Sequence, residues 1–80
     1  MNRFSVWSLI SRKPDGAFHV RVRAVALADG IPFASADELY EKAGDVAAAT
    51  RLRDRLVEEI TARVTVRGDV VASVDSTFEM

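Results

Sequence analysis

This chain predicts an α+β fold, an antiparallel sheet with one main helix packed on a single face. Two observations carry that reading. Two alternating segments, Arg3 to Arg12 and Ala17 to Leu27, flank the turn Lys13-Pro14-Asp15-Gly16, and a later segment repeats apolar residues at helical spacing. Eighty residues bound the answer to one small domain, read here as 1–75 with a frayed tail at 76–80.

The turn sets the register of the hairpin, over about 3–12 and 17–27. Pro14 holds φ near −65°, Asp15 can bond its own backbone and Gly16 takes the positive-φ corner. Phe18, Val20, Val22, Ala24 and Ala26 share one parity, as do Phe4, Val6 and Ile10 on the first strand. A loop of Pro14 to Gly16 pairs Ile10 with Val20, Val6 with Ala24 and Phe4 with Ala26. One more loop residue would set Ile10 opposite His19 and mix the two faces. A type I turn closed by a Gly bulge suits the preferred register.

Beyond the hairpin, Asp29-Gly30 is a second turn signal. Pro32 limits the segment after it to a short edge strand at most. Ser35-Ala36-Asp37-Glu38 has the form of a capping box, which predicts a short helix over 36–43 that stops at Gly44. Asp45 is placed to cap the main helix, about 46–62, whose stripe is Ala49, Leu52, Leu56 and Ile60. Arg67-Gly68-Asp69, between Val64-Thr65-Val66 and Val70-Val71-Ala72-Ser73-Val74, predicts two short strands around a third turn. A G-x-x-x-A-S pattern occurs at Gly30 and again at Gly68, but two complete copies of a larger unit do not fit.

Arg21-Val22-Arg23, Asp29-Gly30, Ala34-Ser35 and the set Tyr40, Lys42 and Ala43 resemble the pattern of small YegP-type bacterial domains. The resemblance covers residues 20–49. It implies an α+β fold in which Tyr40, Lys42 and Ala43 stand near the start of a helix, and it supplies no catalytic residues.

Composition removes several function classes. A hydrophobic share of 49% is that of a globular chain, and a net charge of −1 is unlike the basic balance of a dedicated nucleic-acid binder. With no cysteine and a single histidine, thiolate and His-cluster metal sites are excluded, and no metal or cofactor is expected. Neither a signal peptide nor a membrane span is evident, so a cytoplasmic location is expected.

The hairpin face opposite the core collects Trp7, Leu9, His19, Arg21 and Arg23, and these form the candidate interaction surface. Leu9 pairs with Arg21 and Trp7 with Arg23, an arrangement open to a cation–π contact. Neither arginine has an acidic partner across the hairpin, which argues that the face is exposed. His19 has Ser11 as cross-strand neighbour and Asp15 nearby, a Ser/His/Asp set without oxyanion donors or a pocket, so catalysis is not expected. The acids Asp37, Glu38, Glu41 and Asp45 read as helix-start residues, and Arg67-Gly68-Asp69 as turn chemistry. The expected function is a non-enzymatic protein-interaction domain, self-associating as a homodimer or meeting a protein partner through this face. The alternative is a nucleic-acid-binding accessory domain using Trp7, Arg21 and Arg23.

Overall fold

Gly16 sits at φ 87°, its amide donates to the carbonyl of Lys13 at 2.9 Å, and Ala17 donates to Asp15 Oδ1 at 2.9 Å. This is the expected turn. It joins strands β1 (Asn2–Arg12) and β2 (Phe18–Ala28) in a computed structural model that describes residues 2–79, with side chains described through Ser76. The register is the one burial demands, with Ile10 opposite Val20, Val6 opposite Ala24, Phe4 opposite Ala26 and Trp7 opposite Arg23.

A tight turn at Asp29 (φ 53°) and Gly30 (φ 78°) then leads into β3 (Ile31–Ala43). Positive φ at both central residues matches the twist of the flanking strands, which is why Asp-Gly serves here. Helix α1 (Val46–Thr65) and strand β4 (Gly68–Glu79) complete the chain. The strand order is β3-β2-β1-β4, antiparallel throughout except where β4 runs parallel to β1.

The α+β architecture with one helix on the sheet is therefore present, but the sheet is mixed, and three local expectations are corrected. Residues 36–43 are not a helix. They continue β3, because Leu39 and Ala43 alternate onto the core face and the free edge of β2 satisfies their backbone. A capping signal of four residues is outweighed by a full ladder of strand pairing. The same change moves Tyr40, Lys42 and Ala43, which the YegP resemblance placed near a helix start, to the end of a strand. Secondly, Val64 belongs to the helix and is buried, while Val66 is the C-cap. Arg67-Gly68-Asp69 thus joins helix to strand and does not close a hairpin. Thirdly, the short C-terminal strands are one strand of 12 residues that runs beside β1. Met80 lies outside the described residues.

One face of the sheet carries the core. Phe4, Val6, Ile10, Val20, Val22 and Ala24 meet Ala49, Leu56, Ile60 and Val64 from α1, all buried, with Leu52 partly buried beside them. Asp45 caps the helix by accepting from the Ala48 amide at 2.8 Å. On the same face, two acids of β3 reach the helix. Glu41 accepts from Arg55 at 3.1 Å and Asp37 from Arg63 at 3.4 Å. Arg55 is thereby drawn to β3, and Glu59 pairs with Arg63 one turn further along the helix.

Leu56, 1% exposed, is at the centre of this contact. Leu56→Ala is expected to cost ~2–5 kcal/mol through lost burial and a residual cavity, measured by urea denaturation. A loss below about 0.5 kcal/mol would show that α1 does not pack through this stripe. Gly68 has a different constraint, since a Cβ there would overlap the backbone carbonyl of Asn2, its partner in the parallel ladder. Gly68→Ala is expected to destabilise by ~1–3 kcal/mol in the same assay, and an unchanged midpoint would mean the β1–β4 ladder does not close at its start.

Candidate interaction surface

α1 covers one side of the sheet, and no other element of the described chain lies over the other side. Side chains alternate across each strand, so Trp7 and Leu9 of β1 share the open side with His19, Arg21 and Arg23 of β2. All five residues singled out in the sequence are thus brought onto one face. Trp7 stands on an inner strand with 45% of its surface exposed. Val74 of β4 is its neighbour, lying beside it in the sheet and not over it. Ser5 and Ser11, also of this parity, are short enough to be shielded by their neighbours and are buried.

Residues from β3, absent from the sequence-based site, complete the surface. Glu38 stands opposite Arg23 and Tyr40 opposite Arg21. Arg23 Nε donates to Glu38 Oε2 at 3.1 Å, and Arg21 Nε lies 3.8 Å from Glu38 Oε1. The two arginines therefore do have an acidic partner, supplied by the third strand and not by the hairpin. Reading residues 36–43 as a helix hid it. The cation–π contact found on this face is also different from the one expected. The Arg21 guanidinium lies 5.9 Å from the centre of the Tyr40 ring, while Arg23 turns to Glu38.

His19 Nδ1 is hydrogen bonded to Tyr40 Oη, and the two rings meet edge to face with centroids 5.4 Å apart. Ser11 stands opposite His19, but Asp15 is engaged by the turn backbone, so the Ser/His/Asp set does not assemble. Among the described residues no group of three His, Asp or Glu side chains is close enough to hold a metal ion. Nor is any helix among them long and apolar enough to cross a membrane.

Two depressions mark the open face. The larger, about 550 Å³, runs past Trp7, Leu9, Arg21, Arg23, Val25 and Phe33. Phe33 reaches it from a stretch of β3 where two register shifts, at Ala24/Val25 and Ala26/Leu27, bend the edge strand. Phe33 is itself 67% exposed, so the apolar track continues to the sheet edge. The smaller depression, about 210 Å³, lies towards the hairpin loop.

No family model matches the chain, and no curated protein or solved structure gives a significant match. The functional reading therefore rests on this surface.

The Glu38 ion pairs join side chains that are 41–48% exposed, so solvent screens them. Glu38→Gln is expected to lower stability by less than ~1 kcal/mol in urea denaturation. A larger loss would mean that Glu38 holds β3 to the sheet in addition to neutralising the arginines.

Proposed function

We propose that this chain is a non-enzymatic interaction domain that pairs with a second copy of itself through the open sheet face. The observation that carries the reading is Trp7, a large aromatic left half-exposed on an inner strand with no other element of the described residues above it. Trp and Arg are the residues most enriched where interfaces concentrate their binding energy, and here they are cross-strand neighbours.

The dimensions suit this occupant. Four strands of 11–13 residues make a face of about 36 by 19 Å, or roughly 700 Å². A stable interface uses about 800 Å² from each partner, so a second copy would cover essentially the whole face. A two-fold arrangement brings the same patch to both sides, and sheets pack face to face about 10 Å apart. The apolar track of Trp7, Leu9, Val25 and Val74 would then meet its counterpart. Arg21, Arg23 and Glu38 already balance one another in part, which lowers the cost of bringing like patches together. The nucleic-acid alternative is weaker on the same geometry, because Glu38 occupies the position where phosphates would meet the two arginines.

Sedimentation equilibrium over a concentration series tests the proposal. The wild-type chain is expected to dimerise and Trp7→Ala to remain monomeric. Urea denaturation at a concentration where both are monomeric is expected to show a difference below about 1 kcal/mol, since exposed side chains contribute little to the fold. A wild-type chain that stays monomeric throughout would overturn the proposal. A loss of ~3–5 kcal/mol would instead identify Trp7 as core.

A further inference from the structure

The smaller hollow on the open face has a chemistry of its own. It is lined by Leu9, Ser11, Lys13, His19, Arg21 and Tyr40, and none of these is acidic. Lys42 stands opposite His19 in the adjoining strand and adds positive charge at the margin. Among the described residues no carboxylate lies within ion-pair distance of Lys13 or His19. Arg21 Nε lies 3.8 Å from Glu38, while Glu38 makes its shorter bond, 3.1 Å, to Arg23. The guanidinium of Arg21 is meanwhile held over the Tyr40 ring, beside the hollow.

From this arrangement we infer that the hollow is a binding site for a single phosphate or phosphomonoester group. Such a group carries −1.5 to −2 charge near neutral pH and three strong acceptor oxygens. Lys13 and Arg21 match that charge, and Arg21 provides a planar pair of donors suited to phosphate oxygens. Ser11 brings a hydroxyl. In the tautomer in which Tyr40 donates to Nδ1, the His19 ring keeps Nε2–H as a further donor. A carboxylate, with one charge and two oxygens, would leave part of this set unmatched. At about 210 Å³ the hollow is also below the size of sites that enclose whole drug-sized molecules, so it fits a terminal group and not a complete nucleotide. The site lies at the hairpin end of the face and shares Leu9 and Arg21 with the larger depression beside Trp7, so it is titrated at a concentration where the chain is monomeric.

Amide-detected NMR titration with inorganic phosphate, at ionic strength held constant with chloride, tests it. Saturable shifts are expected at Ser11, Lys13, His19, Arg21 and Tyr40, with at least tenfold weaker binding in Lys13→Ala and in Arg21→Gln. Both variants are checked as folded by their spectra. Arg51→Gln, an exposed change on α1, is expected to stay within twofold of wild type. O-phosphoserine should reproduce the phosphate shifts, while a single-stranded oligonucleotide, which carries internal diesters, should not. Shifts reproduced by chloride alone, or unchanged affinity in Lys13→Ala, would overturn the inference. A response to the oligonucleotide centred on Trp7 and Arg23 would replace it with a nucleic-acid surface.

Discussion

Pairing Ile10 with Val20, Val6 with Ala24 and Phe4 with Ala26 gathers one continuous apolar surface on the side of the hairpin that α1 covers. Side chains alternate strictly, so the same register sends Trp7, Leu9, Arg21 and Arg23 to the other side. A slip of one residue would exchange the two sets and leave the helix facing guanidinium groups. The turn from Lys13 to Ala17, with its Gly16 bulge, holds this register locally, through bonds within five residues. Core and surface are thus two consequences of one local constraint.

The third strand turns this hairpin into a domain. Its odd-numbered acids, Asp37 and Glu41, lie on the core side and pair with Arg63 and Arg55 of the helix. Its Glu38 and Tyr40 lie on the open side and organise Arg23, Arg21 and His19. Each exposed ion pair contributes little by itself. Together they tie β3 to the helix on one side and to the arginines of β2 on the other. The outer edge of β3 carries Pro32, charged residues and two register shifts, features that discourage pairing with another strand. Association through the face is accordingly better supported than association through this edge.

One helix of 20 residues, about 30 Å long, can cover only one side of a four-stranded sheet. The described residues supply no second layer on the other side, and an apolar track through Trp7 remains open there. The open face divides by chemistry. Apolar and ion-paired groups lie around Trp7, which suits a second copy, and cationic donors converge near the hairpin loop, which suits a small dianion.

By itself the sequence determined the elements whose cause is local. The β1–β2 register, the Asp45 cap and the stripe of Ala49, Leu56 and Ile60 follow from turn chemistry and periodicity within short windows, and with them the shared face of Trp7, Leu9, His19, Arg21 and Arg23. Tertiary structure alone decided residues 36–43 and the C-terminal segment. Ser35-Ala36-Asp37-Glu38 has a real helix-start signal, yet the alternation of Leu39, Glu41 and Ala43 against Glu38, Tyr40 and Lys42 suits a strand once β2 offers a free edge. Likewise, Val70 to Val74 becomes a parallel partner of β1 only after the helix has carried the chain across the sheet. Glu38 beside the arginines and Tyr40 beside His19 were hidden for the same reason. Their roles come from neighbours 15 and 21 positions away, and backbone pairing across that distance outweighs what four adjacent residues prefer.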